Sequence, residues 1–495
     1  MNNLKYNRRS RRRRCRTPHA AVILGCAALI GICGAGAVFF GRKLLPDPHS
    51  SSGDAVLITQ EAGSGTDPGA SNPDGSDVSG ISAGGTGADG PDTSAGSQTS
   101  TADSASAELL NQAAALAVGY NYDGAIALLQ SDETFAEDPS VLEAIAGYEA
   151  VKETLVQAKI SEVTHVFFHS LVMDTSKAFD NDVDTDGYNQ VMTTANEFKK
   201  ILQTMYDKGY VLVRLHDLAY ETTDGNGNAV MKPGSILLPE GKIPFVMSQD
   251  DVCYYPYMNG DGFASRIVIG EDGKPTCEMT LDDGTVSTGS YDLVPILEDF
   301  IQEHPDFSYK GARAVLAFTG YEGILGYRTA ASYADSPTYA QDREQAAKVA
   351  QCLKDNGWEL ASHSWGHLNM GTIEMDRFRT DVDKWEQEVD SLIGPTDIIL
   401  YPFGADVSDW HPYSNENERF NYLYNAGFRY FCNVDSSQHW VQLGDNYLRQ
   451  GRRNLDGYRM WKDITAEDPA SRKLEDLFHA EDVFDPARPT PVPDM

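Results

Sequence analysis

Two histidines open the chemistry of this chain. The stretch Trp358-Glu359-Leu360-Ala361-Ser362-His363-Ser364-Trp365-Gly366-His367 begins as a short apolar run and then delivers imidazoles four residues apart. On a helical turn such residues share a face, with Cβ atoms about 5–6 Å apart. Two imidazoles at that distance can hold one metal ion, and imidazole suits zinc, iron, copper or nickel. An isolated pair of this kind also arises when one histidine is packed and the other solvated, so the pair has to be judged with the rest of the chain.

The elements around the pair alternate. Val163 to Phe168 is a β-type run ended by His169, and His165, Phe167 and His169 would share one face of it. Residues 194–208 have the apolar spacing of a helix closed by Gly209, and Tyr210 to Leu215 is the next strand. Ile243 to Met247 is a buried-strand candidate with Asp250 and Asp251 just past its end. A helix over Leu293 to Ile301 precedes a strand over Ala312 to Phe318. A helix over Glu344 to Asn356, stopped by Gly357, precedes a strand over Trp358 to Ala361. A helix over 374–392, a strand over Ile398 to Leu400, a helix over Glu418 to Ala426 and a strand over Tyr430 to Asn433 complete the series. This alternation predicts an α/β barrel with a mainly parallel sheet. His169, Asp251 and His363 each follow a strand, the face where parallel barrels place active sites.

The segments Phe167-Phe168-His169-Ser170-Leu171, "GYVLVRLHDL" and "LPEGKIPFVMSQDDV", followed by "ELASHSWGH" and "IILYPFGAD", together resemble polysaccharide deacetylases of the carbohydrate esterase 4, or NodB homology, type. The resemblance covers roughly residues 163–460 in the family's order, and it is nearest to the branch with a histidine at the end of an N-terminal strand. It implies a distorted (β/α) barrel of NodB type. It further implies that Asp250 is the general base, that Asp251, His363 and His367 are the metal ligands, and that His169 is the general acid. Phe403 matches the position whose backbone N–H helps to bind the oxyanion. Two histidines and a carboxylate leave open positions on zinc, and the same set also holds Fe(II), with zinc the preferred ion. The implied reaction is hydrolysis of N-acetyl groups on a cell-wall or surface polysaccharide or peptidoglycan.

Three departures qualify that expectation. The first motif reads Ser248-Gln249-Asp250-Asp251-Val252, Leu400 stands in place of the third motif's arginine, and no late Leu-x-His motif follows, although His439 could substitute for it. Arg328, Arg452 and Arg453 could restore the missing positive charge, and nothing local selects among them. An O-acetyl esterase and a catalytically impaired glycan-binding protein are therefore the rival readings. Thr280-Leu281-Asp282-Asp283-Gly284 spells the first motif more closely. It sits between two short β-type runs, so a hairpin within an inserted β-meander over 259–290 is the better reading. Tyr254, Tyr255, Tyr257, Trp365, Trp410 and Trp440 suit sugar stacking and ordinary packing equally well.

The rest of the chain bears on location. The 495 residues carry a net charge of −33, yet residues 1–43 hold ten basic residues and no acid, which leaves 30 basic against 73 acidic residues beyond them. So acidic a body excludes phosphate-backbone binding, and no nucleic-acid partner is expected. The basic tail over 1–19 precedes an uncharged run from Ala20 to Phe40, and 21 residues at about 1.5 Å each span the ~30 Å of a bilayer core. Residues 20–41 are read as a transmembrane helix with its N-terminus cytoplasmic and all that follows outside the cell membrane. Residues 42–106 have the Gly/Ser/Asp/Pro composition of a disordered linker. Residues 107–158 have helical periodicity and resemble a small tetratricopeptide-like module. The catalytic domain is placed at 160–465 and a C-terminal tail at 466–495. Cys253, Cys277, Cys352 and Cys432 lack CxxC spacing, which argues against a thiolate zinc site and admits either free thiols or one disulfide.

Overall fold

The computed structural model describes residues 99–495. The expected basic tail, membrane span and most of the linker lie outside the described residues. Among the described residues no helix is long and apolar enough to cross a membrane.

Three helices come first: α1 (Thr99–Val118), α2 (Tyr122–Ser131) and α3 (Pro139–Lys152). Their apolar faces meet over Ala113, Ala125, Leu129 and Val141. Asn121 and Asp138 accept N–H bonds at the starts of α2 and α3, and Pro139 occupies the first turn, where its missing donor costs nothing. Helix α1 begins inside the stretch assigned to the linker. Packing at Leu109, Leu110 and Leu116 anchors it, and each further residue adds one hydrogen bond, so the Ala/Ser run extends it at little cost. The module sits on the barrel through Tyr120, which stacks on Tyr309 and donates to Asp306 O at 2.9 Å.

The barrel follows in chain order. Its elements are β1 (Thr164–Phe168), α4 (Ala195–Asp207), β2 (Tyr210–Leu212), β3 (Ile243–Gln249), the meander strands β4 (Arg266–Ile269), β5 (Pro275–Thr280) and β6 (Val286–Gly289), α5 (Leu293–Glu303), β7 (Val315–Phe318), α6 (Tyr339–Asp355), β8 (Glu359–Ser362), α7 (Met375–Trp385), β9 (Ile398–Leu400), α8 (Glu418–Asn425), β10 (Tyr430–Val434), β11 (Leu448–Asn454) and α9 (Gly457–Ile464). Strands β1, β3, β7, β8, β9, β10 and β11 form a closed, parallel, seven-stranded ring. Strand β2 pairs with the first half of β3, and β7 takes over its second half.

Period-two alternation sorts the ring into two layers. Val166, Phe168, Phe245, Met247, Leu316 and Phe318 face the helices. Val246, Val315, Ala317, Ala361, Ile398 and Leu400 form the other cluster, inside the ring. Polar side chains share that interior. His165 lies between Ser248 and Gln450, at 3.0 and 3.1 Å.

Two stretches depart from the sequence expectation. Strand β11 was not foreseen, because arginines at 449, 452 and 453 hide its strand character. Residues 466–495 are packed against the barrel and do not trail from it. Leu474, Leu477, Phe478 and Val483 are buried, and Arg488 pairs with Glu197 of α4 at 2.6 Å with both side chains fully enclosed. The meander stands where it was expected. Its Leu281–Gly284 turn carries the false motif, closed by Leu281 N–H donating to Thr285 O. The four described cysteines are all buried and free.

Candidate metal and active site

Each predicted site residue arrives from the C-terminal end of a ring strand. His169 follows β1, Asp250 and Asp251 follow β3, His363 follows β8, and Phe403 follows β9. The two histidines do not share a helical turn. Strand β8 ends at Ser362, and the segment before α7 is a loop. Backbone and carboxylate shape that loop. His363 N–H extends the sheet to Phe318 O. Trp365 and Gly366 both donate their N–H to the buried Asp381 of α7, at 2.9 and 2.7 Å. Asp251, Ser364, His367 and Phe403 have φ of 57°, 60°, 50° and 59°. Non-glycine residues in the left-handed region cost about 1–3 kcal/mol each and persist where the surroundings over-determine them. Here they share one site.

Donor atoms of Asp251, His363 and His367 lie within 4.8 Å of one another. His367 Nε2 stands 3.6 Å from Asp251 Oδ2. Two ligands about 2.1 Å from a common zinc ion, at a tetrahedral angle, would be separated by about 3.4 Å. His363 Nδ1 is 2.7 Å from Leu400 O. A carbonyl only accepts, so Nδ1 carries the proton and the Nε2 lone pair faces the cluster. Burial pushes the His367 imidazole down to about 4, with His363 adding to the effect against the pull of Asp251. Burial disfavours the Asp251 charge, but His367, His363 and His169 together hold its carboxyl below the usual range. Tyr255 fixes its other oxygen by donating to Oδ1 at 2.7 Å. Two imidazole nitrogens with an ionised carboxylate fit a divalent cation of zinc type.

Asp250 stands beside this set, 97% buried. Its Oδ2 is 3.8 Å from His363 Nε2, and its Oδ1 takes Arg452 Nη1 at 2.6 Å. Burial would raise this carboxyl, but the Arg452 guanidinium and His363 hold it well below the carboxylate range. Arg452 is wholly enclosed on β11, lies over the Phe167 ring at 4.5 Å and also donates to Ser248 Oγ. It is the charge that the third motif lacks. Arg328 instead donates to the carbonyls of Cys253 and Tyr254, and Arg453 pairs with Asp476. The only sequence trace of Arg452 is the alternation Leu448, Gln450, Arg452, which puts polar side chains on the inner face of a strand. Leu400 contributes through its carbonyl.

His169 Nδ1 lies 3.1 Å from Val191 O, which leaves Nε2 as the free ring nitrogen. The Phe403 ring meets His367 edge-on at 4.6 Å. His439 lies in an exposed loop. A cleft of about 500 Å³ opens beside His367, lined by Tyr255, Tyr257, Tyr321, Trp365 and the outer face of α7. The Tyr255 ring stacks with those of Tyr257 and Tyr321, at 5.4 and 5.5 Å. The remaining aromatics differ. Tyr254 is buried and donates to Asp292, whereas Trp410 is 72% exposed. A second acidic group, Asp182, Asp184 and Asp261, also gathers carboxylates, without a histidine.

Comparison with known proteins finds a family match over part of the chain. Residues 327–428 match the family described as polysaccharide deacetylase. That segment contains His363, His367 and Phe403, whereas Asp250, Asp251 and His169 lie upstream of it. Among solved structures, the Streptococcus pyogenes deacetylase PplD in complex with acetate is 12% identical, with 60% of this chain and 93% of that chain covered at a TM-score of 0.32. The Bacillus anthracis protein BA0330, described as a polysaccharide deacetylase, is 10% identical, with 60% and 65% covered at 0.31. Both likenesses are too low for their chemistry to be carried to this chain. No curated protein matches it.

Proposed function

We propose that this protein is a metal-dependent deacetylase, tethered outside the cell by its N-terminal segment, that hydrolyses N-acetyl groups of a cell-wall or surface polysaccharide. The observation that carries the reading is the convergence of Asp251, His363 and His367 donor atoms within 4.8 Å. Those three residues would hold the ion, with zinc preferred for two nitrogens and one oxygen. When bound, the ion supplies Lewis-acid polarisation of the acetyl carbonyl and acidifies water.

The chain's own groups do the rest. Asp250, ionised beside Arg452, takes the proton of the attacking water. The Phe403 N–H donates to the oxygen that gains charge. His169 is held by Val191 O through Nδ1 and offers Nε2 to the departing amine. The tyrosine stack gives the sugar a flat apolar wall. Arg452 weighs against the reading of a glycan-binding protein without activity, because it places beside Asp250 the charge absent at Leu400.

The test is acetate release from chito-oligosaccharides and from peptidoglycan by residues 99–495 with added metal, against O-acetylated xylan. His363→Ala should lose at least about 10²-fold in rate, and Asp250→Asn a comparable amount. Near-parental acetate release from either folded variant would sink the assignment. Release from the xylan alone would move it to O-esters.

A further inference from the structure

The cleft beside His367 has a wall that the deacetylation chemistry does not use. Helix α7 presents Arg377, Thr380 and Lys384 to it, at i, i+3 and i+7 on one helical face, with the two cations about 10 Å apart along the axis. The opposite face of α7 buries Phe378, Val382 and Trp385. Neither cation makes an ion pair among the described residues. Arg377 is exposed and acts on Asp381 only through space, and Lys384 lies over the Trp365 ring at 4.0 Å. Arg379, on the same helix but outside the cleft, is paired with both Asp376 and Glu418.

The acids of the cleft are already engaged. Both oxygens of Asp381 accept backbone N–H groups from the histidine loop, and Glu322 accepts the Tyr333 hydroxyl. The chain carries 73 acidic residues against 40 basic ones, so two cations left without carboxylate partners stand out at the mouth of a site. They face the Tyr255–Tyr257–Tyr321 stack, which offers an apolar platform to a sugar ring.

We propose that this cleft selects an anionic glycan: the sugar next to the N-acetylated residue carries a carboxylate, which Arg377 and Lys384 bind while the tyrosine stack holds the rings. The inference rests on the deacetylase reading above and narrows its substrate to acidic polysaccharides. The carboxylate belongs either to a uronic acid ring or to the lactyl ether of a muramic acid, and both present the same charge to the helix.

The experiment compares chitohexaose, which is neutral, with a hyaluronan hexasaccharide and with a peptide-free muramyl glycan. Acetate release and calorimetric binding are measured on the zinc-loaded full chain. At least one acidic glycan should exceed chitohexaose in kcat/KM by about ten-fold or more, and the preference should fall between about 0.05 M and about 0.5 M salt. Which acidic glycan is preferred identifies the source of the carboxylate. In the double variant Arg377→Ala/Lys384→Ala the ratio should drop to within about two-fold, whereas the exchange Arg377→Lys/Lys384→Arg should retain it. Equal kcat/KM for all three glycans, or a preference untouched by the double variant, would overturn the proposal. If no glycan releases acetate, the deacetylase reading fails, and binding still decides the cleft. Salt-sensitive binding of an acidic glycan that the double variant loses upholds anion selection, and equal or absent binding of all three refutes it.

Discussion

At the scale of single residues, the buried pair Asp250–Arg452 dominates. Neither charge has appreciable access to water, and the two are 2.6 Å apart. Removing one partner strands the other, at a cost of about 3–5 kcal/mol. Arg452→Met should therefore lower both stability and acetate release. Asp250→Asn should also cost stability, by leaving the guanidinium uncompensated. The double variant Arg452→Met/Asp250→Asn should unfold at higher denaturant than either single one, while remaining inactive. Denaturant midpoints for the four proteins check this, and strictly additive losses would contradict it. His216 offers a pH test away from the metal set. Burial opposes its charge, but Asp397 and Glu359, one on each ring nitrogen, raise the imidazole to about 10. An unfolded histidine titrates near 6.5. The stabilisation is thus complete below about pH 6.5 and is lost as pH rises through about 10. Thermal unfolding of His216→Ala should fall below that of the parent at about pH 6, and the gap should close above about pH 10. A gap that widens with pH would refute this.

At the scale of elements, the loop between β8 and α7 sets the metal donors, and α7 sets the loop. Asp381→Ala removes the acceptor of two loop N–H groups without touching a donor atom. Zinc affinity should weaken by about 10–100-fold, the usual loss when a supporting partner of a ligand is removed, with a melting temperature that still reports a folded chain. Unchanged affinity would make Asp381 merely structural. This loop also marks the limit of sequence reading. The spacing of His363 and His367 was legible, but the helical turn invoked for it was not real. His367 adopts a left-handed backbone, which no periodicity signals. The parallel strands β1, β3, β7, β8, β9 and β10 were legible as apolar runs, since both of their faces are covered. Strand β11 was not, because its inward positions carry Gln450 and Arg452. The arginine that serves Asp250 was hidden with it.

At the scale of the whole molecule, the barrel closes through partners far apart in sequence. Glu197 accepts Arg488 from the far end of the chain, and Thr194 caps α4 while donating to Asp485. The sequence reading assigned residues 466–495 to a C-terminal tail. Their few apolar residues are nonetheless buried. Deleting 466–495 should expose that surface and strand Glu197, so the shortened chain should aggregate or melt well below the parent in a thermal scan. A truncated protein with the parental melting temperature would show that the segment is dispensable. The likeness to polysaccharide deacetylases was visible in motif order, whereas the three-dimensional site depends on strand ends that only the closed ring brings together.

The central claim is that Asp251, His363 and His367 hold one catalytic cation. It is tested most directly by measuring bound zinc and acetate release together, for the chelator-stripped protein, the zinc-restored protein and the variant Asp251→Ala/His367→Ala. The expected result is one ion per chain, activity that disappears and returns with it, and a folded double variant that neither binds zinc nor releases acetate. Full acetate release from the stripped protein, or stoichiometric zinc in the double variant, would contradict it.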